Sequence, residues 1–245
     1  MSLEKAYFDI KTKFENVLEL EPFDIVKSVD DHRNFWKPKK VKVLLLAESH
    51  VHTSVSKYDN LMRYDDFPEL IGCPTNYVKL VYCLGYGERK LVNLSDRGTP
   101  QFWKIFAACI NQNFSSESKK ILISSTPNFH LRLHNKISLL EKLNDMGIWL
   151  VDASIVALYN NADKPFQKVM KEIMEISWEH HVSKVIHEVK PAKIIVIGVG
   201  VSNILEDKLN KINIPFHVQP QPQGIRTKKG QEETFQKYYE LCNTK

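Results

Sequence analysis

Apolar and polar residues alternate along this chain in two rhythms, one helical and one of short, nearly unbroken apolar runs. Over residues 3–20 the apolar positions Ala6, Tyr7, Ile10, Phe14, Val17 and Leu18 recur at helical spacing, and Pro22 closes the segment. Residues 41–47 form an apolar run broken once, by Lys42, as expected of a strand buried on both faces. From 53 to 98 the pattern weakens, punctuated by Pro68, Gly72, Pro74, Gly85 and Gly87, which predicts a long loop with short helical pieces. Thr99-Pro100 has the form of a cap followed by proline at the first helical position, opening a helix to about residue 112.

Residues 120–125 read as a short extra strand. Over 131–146, Leu133, Ile137, Leu140 and Leu143 share one helical face, and Gly147 supplies the stop. A strand over 148–154 follows, then a helical region over 166–189 that bends near Ser177. A buried strand over 193–199, a helix over 202–212, a short strand over 215–218 and a last helix over 232–242 complete the series. Strands separated by helices imply a parallel sheet with both faces covered. The expected architecture is an α/β domain: three α/β/α layers around a mostly parallel four-stranded sheet. With 245 residues, one domain over 1–245 is the better count, residues 1–40 forming a helical extension packed on it.

Open sheets of this kind build ligand crevices beyond the carboxyl ends of their strands. The strand starting at Ile148 delivers Asp152 there; the first strand delivers Glu48, Ser49 and His50; the last delivers Gln219-Pro220-Gln221-Pro222. One shared pocket is the simplest expectation.

Composition narrows the classes. No apolar run approaches the ~18 residues of a membrane span. The first residues, Met1-Ser2-Leu3-Glu4-Lys5, lack the apolar core of a signal peptide, so a cytoplasmic location is expected. Cysteines at 73, 83, 109 and 242 show no Cys-x-x-Cys spacing, which argues against zinc, iron–sulfur and disulfide frameworks. The net charge of +5 is compatible with an anionic partner, and Arg226, Lys228 and Lys229 concentrate charge just beyond the last strand tip.

Several motifs fail on inspection. His50-x-His52 has the spacing of a metal pair, but an amidohydrolase barrel does not fit the length and no acidic partner stands at ligand spacing. Gly198-Val199-Gly200 opens a helix after a strand, yet Asn203 occupies the third glycine position of a dinucleotide fingerprint. Ser49, Ser124 and Ser154 lack the glycines of a nucleophile elbow. Tyr77, Tyr82, Tyr86 and Trp103 are core or loop packing by default, with one of them, Tyr77 among the candidates, free to stack on a planar ligand.

The order of the remaining motifs resembles the uracil-DNA glycosylase superfamily. Ala47-Glu48-Ser49-His50-Val51-His52 stands where the family has a Gly-Gln-Asp-Pro-Tyr-His or Gly-Glu-Ala-Pro-Gly motif. Gly147-Ile148-Trp149-Leu150-Val151-Asp152 is similar to the family's Gly-Val-Leu-Leu-Leu-Asn. Trp178-Glu179, the strand ending in Gly198, and Gln219-Pro220-Gln221-Pro222 (where the family has His-Pro-Ser-Pro) follow in the family's order. The resemblance covers residues 41 to the end and is poor over 53–146.

It implies a sheet in the order 2-1-3-4 and a glycosylase-like hydrolase that acts on a damaged or modified base in DNA, without metal or cofactor, as a monomer. In that frame Glu48, Ser49 and Gln219 are the catalytic candidates. Ser49 stands at the water-activating aspartate position, so Glu48 is the substitute. Gln219 replaces a histidine and can still donate a neutral hydrogen bond. Asp152 replaces the base-reading asparagine; an ionised carboxylate only accepts, which argues against uracil specificity. His50, His52, Tyr77 and Gln221 join Asp152 as substrate-binding candidates, and Arg226, Lys228 and Lys229 as DNA-binding ones. The altered motifs leave two alternatives: a nucleic-acid-binding protein that keeps the fold without catalysis, and a binder of small nucleosides or bases.

Overall fold

Four short strands form the centre of the fold: β1 Val43–Ala47, β2 Ile148–Asp152, β3 Lys193–Ile197 and β4 Phe216–Gln219. All pair in parallel in the order β2-β1-β3-β4, as the resemblance implied. This is a computed structural model, which describes residues 2–112, 128–159 and 167–244; the strand expected over 120–125 lies outside them. β1 and β2 are buried along their whole length, and Leu44, Leu45 and Leu46 are fully enclosed. Removing each such side chain from water stabilises the fold by about 1.5–3 kcal/mol.

The helices are α1 Ser2–Phe14, α2 Phe23–Phe35, short α3 Val55–Tyr58 and α4 Arg89–Val92, α5 Pro100–Ile110, α6 Phe129–Met146, α7 Gln167–Ser177, α8 Ser183–Val189, α9 Val199–Lys211 and α10 Lys228–Asn243. α5 packs on α6 and α10, and α6 on β2; α9 packs on β3, β4 and α7, and α7 on α1. Connections between parallel strands are right-handed almost without exception, so with the order β2-β1-β3-β4 these two groups fall on opposite faces of the sheet, which gives three α/β/α layers. Among the described residues no helix is long and apolar enough to cross a membrane.

Local chemistry sets the element ends. Asn128 caps α6 by accepting from the Leu131 amide, and Gly147 ends it at φ 78°. A side chain at Gly147 would also strike the Lys40 carbonyl, because the chain passes directly from α6 into β2 beside the start of β1. The helix expected over 3–20 stops at Phe14. Its inward stripe is Ala6, Tyr7, Ile10 and Phe14, whereas Val17 is exposed, so the periodicity ran past the true end. β2 ends at Asp152 rather than 154. The long helical region carries a π segment, Trp178–Val182, between α7 and α8, close to the expected bend.

α2 docks the N-terminal extension through polar contacts as well as packing. The fully buried His32 donates from Nε2 to the Asn76 carbonyl at 2.9 Å, and its Nδ1 has no partner. Burial holds this imidazole neutral, its pKa lowered to about 4, although the Asn76 contact works the other way. The native state therefore binds fewer protons than the unfolded chain between pH 6.5 and about 4. The His32 contribution is full above pH 6.5 and lost as the pH falls through that window, on the order of 3 kcal/mol. Urea unfolding across this range should show a steep acid loss in the wild type and a flatter profile in His32→Asn; parallel profiles would contradict it.

Candidate functional site

β1, β3 and β4 deliver their carboxyl ends to one edge of the sheet, and the chain beyond each supplies the site. Glu48, the first residue after β1, accepts a 2.9 Å hydrogen bond at Oε2 from the Tyr159 hydroxyl. Burial first, then the Glu48 charge, pushes the Tyr159 phenol above its ordinary pKa, so it remains a donor. Ser49 Oγ accepts from the Leu158 amide at 3.4 Å, so two neighbouring residues on the 153–159 segment hold two neighbours at the β1 tip. Gly198, at φ 106°, turns β3 into α9 and donates its amide to the Gln219 carbonyl at 2.7 Å. The Gln221 side chain lies over this glycine, its Nε2 3.6 Å from where a Cβ would stand.

Two cavities meet here, and Glu48 and Gln221 line both. The smaller, about 530 Å³, is also walled by Tyr159, the turn at Gly198–Val201 and Ile225. The larger, about 620 Å³, is walled by Ser49, Tyr86, the start of α5 at Thr99–Phe102, and Phe235 of α10. Both volumes are in the usual range for small-molecule sites. Fully buried Glu88 steadies the larger one: it takes Arg132 Nη2 and Lys136 Nζ of α6 at 2.6 Å each and so anchors the loop between Tyr86 and α4.

Asp152 lies elsewhere. It lines neither cavity, is buried, and accepts from Arg33 Nη2 of α2 at 2.8 Å. Arg33 also reaches Asp30 Oδ1 at 3.0 Å, and its carbonyl takes the Trp149 indole N–H. Burial opposes the ionised Asp30, but the His181 contact and the Arg33 charge outweigh it and hold the carboxyl at about 2. His50 is likewise withdrawn. Its Nε2 meets Glu21 Oε2 at 2.7 Å, and its Nδ1, 3.9 Å from Asp152 Oδ2, has no hydrogen bond. Glu21, on the connection between α1 and α2, also accepts from the amides of Thr53 and Ala157. Burial would raise its pKa, yet His50 and the Thr53 amide overcome this and the carboxyl is lowered.

The expected set is thus brought together only in part. Glu48, Ser49 and Gln221 share the larger cavity. Gln219 ends β4 with its carbonyl bound to Gly198, and His52 is half-buried; neither lines these two cavities. Tyr77 is fully enclosed, donating to Asp96 Oδ2 at 2.7 Å, and meets the cavity only through its edge-on contact with Tyr86. Arg226 is exposed, and Lys228 and Lys229 open α10, each 3.8 Å from a glutamate one turn on, Glu232 and Glu233.

Tyr159, Glu21 and Arg33 were not anticipated. Tyr159 stands seven residues past Asp152 with no motif around it. Glu21 sat in plain view as a carboxylate among Leu20, Pro22 and Phe23. Among the described residues no group of three or more His, Cys, Asp or Glu side chains is placed to hold a metal ion. No protein-family model matches the chain, and no curated protein matches it in sequence.

Removing one partner of a buried ion pair leaves an uncompensated charge, at about 3–5 kcal/mol. Arg33→Met should therefore destabilise the fold by that order in urea unfolding, and Arg33→Met combined with Asp152→Asn should recover much of it. A cost below about 1 kcal/mol for the single variant would contradict the role given to this pair.

Proposed function

We propose that the protein is a hydrolase of the N-glycosidic bond of a nucleobase, with Glu48 as its catalytic carboxylate. The observation that carries this is the position of Glu48: a carboxylate at a parallel-strand tip, oriented by the Tyr159 hydroxyl and shared by two adjoining cavities. Cleavage of the bond leaves positive charge on the sugar and negative charge on the departing base. A carboxylate beside the sugar stabilises the first and orients the attacking water, while a neutral donor on a base oxygen stabilises the second. Water bonds to the anomeric carbon, the carbon–nitrogen bond breaks, and the base leaves with the electron pair and takes up a proton. Glu48 has the first role. The second passes from Gln219 to Gln221, which reaches both cavities. Ser49 is no base unaided, and its hydroxyl is a positioning contact to Leu158.

The resemblance to the uracil-DNA glycosylase superfamily makes a base in DNA the first substrate class to examine. Such enzymes take the base out of the stack, and an aromatic-walled pocket is needed to receive it; Tyr86, Phe102 and Phe235 supply rings in the larger cavity. The case against uracil that Asp152 offered loses its ground, because that carboxylate is committed to Arg33. The test is a base-release screen on oligonucleotides carrying uracil, hypoxanthine, xanthine and alkylated bases. Release from one of them is expected, lowered about a hundredfold or more by Glu48→Ala and less by Ser49→Ala. No abasic product at high enzyme would defeat the reading.

A second reading, nucleic-acid binding without base release, draws on Ser49 at the β1 tip and on the cations at 226–229. With at most three phosphates neutralised by Arg226, Lys228 and Lys229, the slope of log affinity against log salt should be no steeper than about −3. Replacing all three by alanine should flatten it. A slope that the triple variant leaves unchanged would remove this loop from the DNA interface.

A further inference from the structure

α5 and α10 pack along a shared seam. On α5, Phe102, Ile105 and Cys109 recur at helical spacing, and on α10 so do Phe235, Tyr238 and Cys242, which places each set on one face. At one end of the seam Phe102 and Phe235 line the larger cavity. Two turns further along each helix, about 10 Å away, stand Cys109 and Cys242. The Cys242 thiol lies against the Cys109 thiol, and this contact, ahead of burial, pushes the Cys109 pKa up. Tyr238, on the same face, is pushed up by burial and then by Cys109 and Cys242. Asn243, next to Cys242, donates from its side-chain amide to the Cys109 carbonyl at 2.9 Å and ties the two helix ends together. Cys109 is fully enclosed, whereas Cys242 is half-buried. Cys73 and Cys83 are engaged elsewhere, with Tyr64 Oη at 3.8 Å and Met62 Sδ at 3.4 Å.

We propose that Cys109 and Cys242 are a redox-sensitive pair, which a hydroperoxide oxidises to a disulfide that staples α5 to α10. This is independent of the reading of the cavity as a nucleobase site. Cys242 is the thiol that the oxidant reaches, because Cys109 has no exposed surface. The Cys242 sulfur bonds to one peroxide oxygen as the O–O bond breaks, which leaves a sulfenic acid and, from hydrogen peroxide, one water. The Cys109 sulfur then bonds to the Cys242 sulfur, the S–O bond breaks, and the oxygen departs as a second water with the Cys109 proton. Together the thiols lose two electrons and two protons, and the peroxide takes them up. The bond closes a long loop of chain, the case in which a cross-link restricts the unfolded state most. It also fixes the spacing of a seam whose other end carries Phe102 and Phe235 on the cavity wall.

Treating the full chain with hydrogen peroxide, alkylating the remaining thiols and mapping the peptides by mass tests this directly. The expected product is a cross-linked peptide joining Cys109 to Cys242, lighter than the two thiol peptides by two hydrogens and cleaved by dithiothreitol. The oxidised protein should melt about 5–10 °C higher than the reduced one. Amide hydrogen exchange over residues 100–106 and 230–238 should slow in the oxidised form. Cys242→Ser, at the half-buried position, and Cys109→Ser should each lose both effects, so that one variant serves if the other fails to fold. Oxidation that stops at a sulfinic acid on Cys242, joins two chains, or pairs other cysteines would overturn the proposal. So would a bridge that leaves either the melting temperature or the exchange unchanged.

Discussion

A carboxylate taken out of water must be met by a cation or by hydrogen-bond donors, and this requirement organises the carboxyl edge of the sheet. Asp152 ends β2 in the interior, where Arg33 meets it; Glu21 is met by His50 and by two backbone amides. Leaving such a charge unpaired costs several kcal/mol, comparable with the whole stability of a domain. The helices α1 and α2 are therefore joined to the strand tips by electrostatics as well as by their apolar stripes. Glu21 in particular holds the 50–53 and 153–157 segments against each other, and those segments position Glu48 and Tyr159.

The same constraint decides where chemistry can occur. With Asp152 and His50 sealed, the edge of the sheet that remains open runs from β1 across β3 to β4. Its polar groups are Glu48, Tyr159 and Gln221, and its backbone turns at Gly198. The two cavities differ in their walls. One is bounded by the β3–α9 turn and the other by aromatic residues and the start of α5. Glu48 stands at their junction, lining both.

Much of the architecture was legible because buried parallel strands are apolar along their length, so Val43–Ala47, Ile148–Asp152 and Lys193–Ile197 announce themselves. Gly147 marked the end of α6 through backbone geometry alone, whereas Pro22 stands before α2 and not at the end of α1. The lining of the larger cavity was legible at Glu48, Ser49 and Gln221, which lie within one or two residues of a strand end. It was illegible where a side chain's fate depends on a partner far along the chain. Nothing near Asp152 foretells Arg33, 119 residues earlier, and nothing near Tyr77 foretells Asp96 beneath its hydroxyl. Thr99 shows the converse: its sequence context promised a helix cap, and its hydroxyl makes none.

The central claim is that the ligand site surrounds Glu48 and Gln221 rather than Asp152. Titrating the isotope-labelled protein with a deoxynucleoside while recording amide and side-chain N–H resonances tests it most directly. The Gln221 side chain and the amides of Glu48, Tyr159 and Gly198 should shift, while the Trp149 indole beside Arg33 stays in place. Shifts centred on the Trp149 indole and Asp152, with Gln221 unmoved, would contradict the account.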